Sequence, residues 1–500
     1  MHDKSSIITN ENMKNTDSDM RSKSNLPVLI IVMMTSFLTT FSGSALNLSI
    51  TDISTDFNVG AVSVGWIMTG YILSTAVFAV PFGRFADLYS KRNVLHTGQV
   101  IFTATLFLCT FSWNIGSLIL FRVIMGIGAA MIFSTNLAIL VSVYPPMKRG
   151  QVLGISVSST YFGLSLGPVL GGILNYNVGW RSIFAVTAIL TTLTLILSLI
   201  YLKDVEKRAE IILERFGDKK PQTNLTSEDT AHSGKEIFLG SMDIPGCIIY
   251  VVMLALIMYG LTSLMSNIIS KIFLPIGIIL LIIFVKYENS IENPVLKISL
   301  FSKNVTFAFS NIAALLNYGA SYAVSYLLSI YLQTVVGLNS QIAGIILITS
   351  PVFQTILSPF AGKLSDRVSP YILASCGMAL STAGIISFIF LKEDTALAVI
   401  IAALVVIGIG FALFSSPNTN SIMSSVGPED LSIATSVNST SRTIGQTLGM
   451  AVVSIVTAVT VGNITLTSAS TQAILEAITT SFIVFTILGL AAVYFSAKRK

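Results

Sequence analysis

The sequence predicts an all-α polytopic membrane protein, made of two six-helix bundles in parallel repeat with two extra helices between them. Of its 500 residues, 53% are hydrophobic and 11% are charged, whereas a soluble domain carries about 25% charged residues. The apolar residues recur in runs of roughly 20 without acidic side chains, long enough to cross a bilayer as helices. Motifs of the first half return in the second half. A soluble enzyme, a nucleic-acid binder and a disulfide-rich secreted protein are therefore poor fits.

Fourteen membrane spans are predicted, as two groups of six and one pair. Residues 1–26 are polar and predict a disordered cytoplasmic tail. The N-terminal bundle, residues 27–202, has spans near 27–49, 61–82, 94–112, 117–143, 151–174 and 182–202. A charged cytoplasmic loop at 203–243 precedes the two extra helices of residues 244–286, near 244–264 and 269–286. After a cytoplasmic loop at 287–304, the C-terminal bundle, residues 305–496, has spans near 305–331, 342–361, 371–391, 397–417, 433–459 and 474–496, and residues 497–500 form a cytoplasmic tail.

The basic residues predict the orientation. With the N-terminus inside, only Arg181, Lys271 and Lys392 of the 29 Lys and Arg face outside, and Arg122 and Arg442 lie within spans. The other basic residues are then cytoplasmic, as the positive-inside rule requires. We therefore expect a multi-pass protein of the cell membrane with both termini in the cytoplasm.

Two motifs recur at nearly the same separation. GRFAD at 83–87 ends the second span, and GKLSD at 362–366 ends the tenth. The pair Gly163-xxx-Gly167 in the fifth span is matched by a Gly-xxx-Gly pair at 445–449 in the thirteenth. Transporters built from such parallel repeats hold their substrate at the interface of the halves.

Three local patterns together resemble a known family. They are GRFADLYSKRN at 83–93, Leu118-xxx-Arg122 followed by small residues at 126–130, and GLSLGPVLGG at 163–172. In this order and spacing the chain resembles the major facilitator superfamily, specifically its fourteen-helix drug:proton antiporter branch. The resemblance implies a major facilitator fold and a secondary transporter that exports small amphiphilic compounds by alternating access, with a proton as counter-ion.

The resemblance also implies a cytoplasmic gate latch, whose aspartate pairs with charge on the other half. Its members here are Gly83, Asp87, Lys91 and Arg92, repeated as Gly362 and Asp366. An alternative interpretation is that Asp87 caps a helix or is solvated beside Lys91. Leu88 and Ser90 depart from the family pattern, which predicts a weaker latch.

Proton coupling needs a group that binds and releases a proton, and the candidates are Arg122 and Asp52. The family assigns proton transfer to the residue that matches Arg122; the alternative is that Arg122 snorkels towards the outer surface. Ser42 stands where the branch commonly has an aspartate, and none of the 24 acidic residues lies deep in a predicted span. Asp52, just outside the first span, is the remaining proton-coupling candidate, together with Glu476 in the last span.

The fifth span carries the stretch that marks antiporters in the family: Gly163, Gly167, Pro168, Gly171 and Gly172. Three of these glycines share one helix face, as in close helix packing, and the proline bends the helix. We expect this helix to pack against the other half. A bent, closely packed helix is also the purely structural interpretation.

Neutral or basic polar residues are left to line a cavity. The candidates are Ser42, Asn47, Asn136, Asn317, Tyr318, Tyr322, Tyr326, Asn438, Arg442 and Gln446. The three tyrosines recur every four residues, which fits either a cavity wall or helix packing. Two arginines without buried acids favour an anionic, zwitterionic or neutral substrate.

Other function classes lack their motifs. No zinc spacing, nucleotide fingerprint or phosphate loop is present, so we expect no enzyme, metal or cofactor. The expected partners are an amphiphilic substrate, a proton and the lipid bilayer, for a monomer that binds no nucleic acid. A specific lipid or metabolite exporter, or an uncoupled facilitator, stays open as the alternative.

Overall fold

The computed structural model describes residues 25–59, 61–216, 242–262, 268–338, 340–460 and 470–499. All regular structure within these ranges is helical. Most of the predicted N-terminal tail and of the 203–243 loop lies outside the described residues.

Seven helices form the N-terminal half. They are α1 (Leu26–Ser44), α2 (Ile50–Phe57), α3 (Ala61–Leu88), α4 (Lys91–Thr110), α5 (Ile115–Val143), α6 (Pro146–Val178) and α7 (Arg181–Tyr201). Short polar turns set where they begin: the Ser90 side chain accepts a hydrogen bond from the Asn93 amide, and Asn114 forms a capping box with Ser117. Gly179, with a φ of 95°, ends α6 in a conformation that favours glycine.

An additional helix, α8 (Val205–Phe216), occupies the first part of the predicted 203–243 loop. It is amphipathic, with Val205 and Ile212 buried. The Ser90 hydroxyl donates to the Glu206 carboxylate, and Arg208 donates to the Asn25 side chain at 3.2 Å. Because this segment carries many charged residues, the sequence predicted a loop there and not a helix with an apolar face.

The two extra helices, α9 (Ile244–Thr262) and α10 (Ile268–Glu288), pack on each other, and we call them the hairpin. The C-terminal half follows with α11 (Ser299–Ser302), α12 (Val305–Ile330), α13 (Ser340–Leu347), α14 (Thr349–Ser365), α15 (Pro370–Ser387), α16 (Leu397–Ser424), α17 (Leu431–Thr460) and α18 (Thr471–Ala497). The predicted tenth span is two helices, α13 and α14, joined at Ile348.

Twelve helices in the described ranges are long and apolar enough to cross a membrane. Two more, α4 and α12, have 20 and 26 residues and carry more polar side chains. The count of fourteen spans stays a prediction.

Each half has its own apolar core, a third apolar cluster joins both halves and the hairpin, and the halves meet mainly along two helix pairs. One core includes Phe102 and Phe184, and the other includes Phe388 and Phe482. Between the halves, α6 packs on α14 and α17 packs on α3, and the hairpin contacts α3 and α17 through α9. The hairpin therefore covers one of the two seams, which places it beside any site at the interface.

Candidate functional site

A small polar cavity lies between the two halves. Its volume is about 50 Å³. One wall comes from α5 and α6 and the other from α12, α16 and α17, including Asn136, Tyr161, Tyr318, Ser415, Asn438 and Arg442. Because both halves contribute, we call this the central cavity. Four of these six side chains are among the predicted cavity residues.

Three hydroxyl groups join the halves across the central cavity. Tyr161 OH and Tyr318 OH each lie 3.1 Å from Ser415 Oγ. The Phe411 ring packs edge-on against both tyrosine rings. Tyr161 belongs to the N-terminal half and the other hydroxyls to the C-terminal half, so a ligand here must replace or join these bonds.

Arg442 supplies a cation to the central cavity. Its guanidinium lies over the Phe133 ring, 5.3 Å from the centroid. In the part of the chain that the structure describes, no carboxylate lies within 4.0 Å of it. One turn earlier, Asn438 Oδ1 is buried without a hydrogen-bond partner. A cationic donor beside a free amide acceptor suits an anionic or neutral polar group.

A larger cavity of about 410 Å³ lies between α3, the hairpin and α17, and we call it the outer cavity. Trp66 stacks on Tyr259 of the hairpin, with ring centroids 5.7 Å apart. Tyr322 and Gln446, both predicted cavity residues, also line it. None of its described lining residues carries a formal charge. Apolar and aromatic walls with a few polar groups are typical of small-molecule sites.

The outer cavity lies at the opposite end of α3 from the latch. Trp66 precedes Asp87 by 21 residues on this helix, which is about 30 Å at 1.5 Å per residue. In the predicted orientation, this places the cavity towards the outer surface.

Arg122 is buried in the N-terminal half and does not reach solvent. Its Nε donates to the Ile67 carbonyl at 3.0 Å, and a terminal nitrogen donates to the Ser42 carbonyl at 3.1 Å. The guanidinium also lies over the Tyr71 ring, 4.4 Å from the centroid. The snorkelling alternative is therefore wrong, because backbone carbonyls hold the charge inside the bundle.

Asp52 lies elsewhere. It is exposed on α2 and accepts a hydrogen bond from the Asn175 side chain. No described contact links Asp52 to Arg122, so the structure does not bring the two proton-coupling candidates together.

The other predicted cavity residues lie outside both cavities. Ser42 Oγ contacts Met125 Sδ in the core of the N-terminal half. Asn317 is buried on α12, and its Nδ2 has no partner. Tyr326 is 42% exposed. The side chain of Asn47 lies outside the described residues. The three predicted tyrosines therefore do not share one site, because Tyr318 lines the central cavity and Tyr322 lines the outer cavity.

Asp87 reaches from α3 into the C-terminal half. Its two carboxylate oxygens accept the amide hydrogens of Ser432 and Ile433, at 3.1 and 2.9 Å, in the first turn of α17. Lys91 Nζ lies 3.0 Å from the same carboxylate. The partner in the other half is thus a helix N-terminus rather than a charged side chain, an arrangement that favours an anion.

Asp366 makes the equivalent contact in the reverse direction. It accepts the amide hydrogens of Gly150 and Gln151, near the start of α6, at 2.7 and 2.9 Å. Burial raises the pKa of the Asp366 carboxyl, and the two amides act in the opposite sense. Both predicted latch aspartates therefore join the two halves, at the ends that are predicted to be cytoplasmic.

The latch glycines permit these helices to touch. A Cβ on Gly83 would lie 2.8 Å from the Ser432 carbonyl oxygen, and one on Gly362 would lie 2.9 Å from Gly154 Cα. Among the basic latch residues, Lys91 also reaches the Pro428 carbonyl, at 3.5 Å. Arg92 instead donates to the Lys203 carbonyl of its own half, also at 3.5 Å.

The antiporter stretch packs within its own half. A Cβ on Gly163 would lie 2.5 Å from the Phe37 carbonyl oxygen of α1, and Gly167 and Gly171 meet the end of the same helix. Pro168 and Gly172 are half-buried. The helix does pack against the other half, but through an earlier part of α6 that includes Gly150, Gly154 and Tyr161; the three glycines of the antiporter stretch face α1 instead.

The sequence matches one protein family over most of its length. Residues 32–285 and 311–500 match the profile of the Major Facilitator Superfamily. The chain belongs to this family. Major facilitators are transporters and not enzymes, so the predicted family, the all-α fold and the multi-pass membrane character are confirmed. The chain carries a small-molecule substrate through a membrane.

Named relatives of this major facilitator include drug-resistance proteins. The riboflavin transporter RibZ of Clostridioides difficile is 29% identical over 427 residues, which are 85% of this chain and 86% of RibZ. The multidrug resistance protein Stp of Mycobacterium tuberculosis (strain CDC 1551 / Oshkosh) is 28% identical, over 86% of this chain and 75% of Stp. The methylenomycin A resistance protein of Bacillus subtilis is 26% identical, over 89% and 90%. Two of these three relatives are named as resistance proteins, which supports the predicted drug-efflux family; its fourteen helices and its proton coupling stay predictions.

A solved major facilitator has the same fold. The crystal structure of the human organic anion transporter MFSD10 (TETRAN) matches with a TM-score of 0.63, over 93% of this chain and 100% of that chain. The two sequences are 13% identical, so this similarity concerns the fold alone.

Sequence reasoning missed several residues of the site. Tyr161 and Ser415 lie on helices whose inward faces show no distinct pattern, and the Trp66–Tyr259 stack depends on where the hairpin docks. One signal for α16 was available: Asn136 lines the central cavity, and Asn418, 282 residues later, lies three residues after Ser415 on the equivalent helix.

Proposed function

We propose that this major facilitator exports small amphiphilic compounds by proton antiport with alternating access. The observation that carries the proposal is the difference between the two ends of the protein, one closed by the latch and the other holding the outer cavity. The cytoplasmic ends of the halves are tied together by Asp87 and Asp366, whereas the 410 Å³ outer cavity lies about 30 Å along α3 from that contact. A compound in this cavity is separated from the cytoplasm by the latch, as release to the outside requires.

The chemistry of the two cavities favours neutral or anionic amphiphiles that contain an aromatic ring. The outer cavity offers the faces of Trp66, Tyr259 and Tyr322 without a charge. The central cavity offers the Arg442 guanidinium without a nearby acid. A lipophilic cation finds no carboxylate among the described lining residues of either cavity.

A specific metabolite exporter is the second candidate. RibZ, similar over 85% of this chain, is named a riboflavin transporter. Riboflavin is a planar, uncharged ring system with a polar side chain, and these properties match an aromatic cavity with hydroxyl and amide groups.

Efflux from cells that express the full chain tests the proposal. Cells loaded with riboflavin, the neutral dye Nile red or the cation ethidium are followed with and without a protonophore. We expect extrusion of Nile red or riboflavin that stops when the proton gradient collapses. Extrusion that survives the protonophore contradicts proton antiport and favours a facilitator, and extrusion of ethidium alone contradicts the substrate class.

A matched pair of tyrosine variants locates the binding site. Tyr322→Ala removes a wall of the outer cavity, whereas Tyr326→Ala removes a tyrosine one turn later that lines neither cavity. Their exposures are similar, 46% and 42%. We expect reduced efflux for Tyr322→Ala only; an equal reduction in both variants contradicts binding in this cavity.

A further inference from the structure

Two carboxyl groups meet at the end of the hairpin that lies beside the latch. Asp243 immediately precedes α9, and Glu288 is the last residue of α10. Neither residue is among the proton-coupling candidates predicted from the sequence, because neither lies deep in a predicted span. The hairpin brings them together from positions 45 residues apart.

Each carboxyl group has one occupied oxygen and one without a donor. Asp243 Oδ1 accepts the Gly246 amide and the Tyr287 hydroxyl, both at 3.0 Å. Glu288 Oε2 accepts the Leu296 amide at 3.0 Å. Asp243 Oδ2 and Glu288 Oε1 are buried and have no hydrogen-bond partner.

The two unoccupied oxygens both lie beside Gly246. A Cβ built on Gly246 would lie 2.5 Å from Glu288 Oε1 and still closer to Asp243 Oδ2. Glu288 is only 2% exposed. Two facing acceptors without a donor are an unsatisfied arrangement, and a single proton held between them would convert one oxygen into the missing donor.

In the part of the chain that the structure describes, the groups that interact with the pair include a tyrosine, a thiol and an arginine. Tyr287 donates to Asp243, and the Cys247 thiol lies on the next turn, close enough to interact electrostatically with both carboxyls. Arg84 of the GRFAD motif interacts electrostatically with Glu288 from α3; it is 7% exposed, and its Nε has no hydrogen-bond partner. Lys297, next to the Leu296 amide, pairs instead with Asp430 at 2.8 Å.

We propose that Asp243 and Glu288 bind one proton between them and form the proton-binding site of this transporter. The assignment rests on the proposed proton antiport. It supplies the carboxyl group that the first span lacks, where Ser42 stands in place of an aspartate.

The position of Arg84 connects this site to the latch. Arg84 precedes Asp87 by three residues on α3, so the two lie on neighbouring parts of one helix surface. Loss of the proton leaves two negative charges that attract the unpaired Arg84 guanidinium. Movement of Arg84 towards them displaces the end of α3 that holds Asp87 against α17, which couples proton release to the latch.

Infrared difference spectroscopy of the purified full-length protein tests the site without any substrate. Spectra are recorded as the pH rises from about 5 to about 9, the range in which buried carboxyls titrate. We expect a protonated-carboxyl band that disappears with rising pH in the wild type. It should be lost in both Glu288→Gln and Asp243→Asn, whose amides can donate across the same gap and preserve the fold.

Glu292→Gln is the matched control, because it removes an exposed carboxyl from the loop that follows α10. The band should persist in this variant. A band that persists in both Glu288→Gln and Asp243→Asn overturns the assignment, and so does its absence from the wild type.

Transport then separates this site from the proposed function as a whole. If Glu288→Gln still exchanges riboflavin or Nile red across proteoliposomes but loses its response to an imposed pH gradient, the pair couples the proton. If the wild type carries neither probe while the infrared band titrates, the proposed function fails and the proton site stands. A response to the pH gradient in Glu288→Gln equal to that of the wild type overturns the coupling role.

Discussion

Asp87 and Asp366 lie 279 residues apart, and each carboxylate accepts two amide hydrogens from the start of a helix in the opposite half. Asp87 accepts hydrogen bonds from the amides of residues 432 and 433. Asp366 accepts them from the amides of residues 150 and 151, which precede 432 and 433 by 282 residues. The repeat is therefore kept down to the individual hydrogen bonds of the latch. Since a helix N-terminus attracts negative charge, this contact needs no basic partner in the other half.

We first predict that the Asp87 contact and the Asp366 contact can be broken independently of each other. Asp366→Ala removes both acceptors of the residue 150–151 amides and should increase hydrogen exchange there. A hydrogen bond to a charged group contributes about 1.5–3 kcal/mol, so exchange should rise at least tenfold. Hydrogen–deuterium exchange with mass spectrometry measures it.

Asp87→Ala serves as the reciprocal control for this prediction. It should increase exchange at residues 432–433 and leave residues 150–151 closer to the wild type. Exchange that is unchanged at its own contact in both variants would show that the aspartates do not hold these helix ends.

The close contact of Gly171 with α1 predicts a stability effect. A Cβ on Gly171 would clash with the Ala45 carbonyl oxygen, which cannot move away as a side chain can. Gly171→Ala should therefore lower stability by about 1–3 kcal/mol, the usual cost of overpacking. Gly344→Ala, where the added Cβ meets nothing within 4 Å, is the control. Thermal unfolding in detergent should show a lower melting temperature for the first variant only.

The two intramembrane arginines should respond differently to truncation. Arg122→Ala leaves the Ile67 and Ser42 carbonyls without their donor in a buried site, which should cost about 3 kcal/mol or more. Arg442→Ala should change stability by less than about 1 kcal/mol, because its side chain faces a cavity. It should instead reduce efflux of anionic probes more than that of Nile red. Equal melting temperatures of the two variants would contradict this division.

Acid should remove the salt bridge between Arg181 and Asp56. Arg181 donates to Asp56 at 2.6 Å and Trp180 donates at 3.2 Å. The Arg181 hydrogen bond lowers the pKa of Asp56 below its ordinary value of 3.8, with Trp180 adding to the effect and partial burial opposing it. A lowered carboxyl pKa stabilises the fold above pH 3.8 and loses that contribution as the pH falls through the lowered value.

The exposure of Arg181 and Asp56 limits how much their salt bridge stabilises the fold. Since both side chains are more than 40% exposed, the contribution should stay below about 1 kcal/mol. Asp56→Asn should therefore melt slightly below the wild type at about pH 7, and this difference should shrink as the pH falls below the ordinary carboxyl pKa of 3.8. A difference that grows in acid would contradict the sign.

The sequence by itself determined the membrane class, the repeat and the family. Hydropathy and the spacing of Lys and Arg depend on transfer of side chains between water and lipid, which is local to each segment. The aspartates at 87 and 366 and the glycine pairs at 163–167 and 445–449 could be recognised because they recur in the chain itself. The amphipathic α8 was missed because charged residues make up half of it and interrupt its apolar residues.

Only the tertiary structure decided which of these residues meet. Arg122 and Asp52 were paired as candidates but have different partners, whereas Asp243 and Glu288 come together because α9 and α10 fold back on each other. Contacts between segments far apart in sequence depend on how whole helices dock, and docking is set by side-chain shape over many residues rather than by any local pattern.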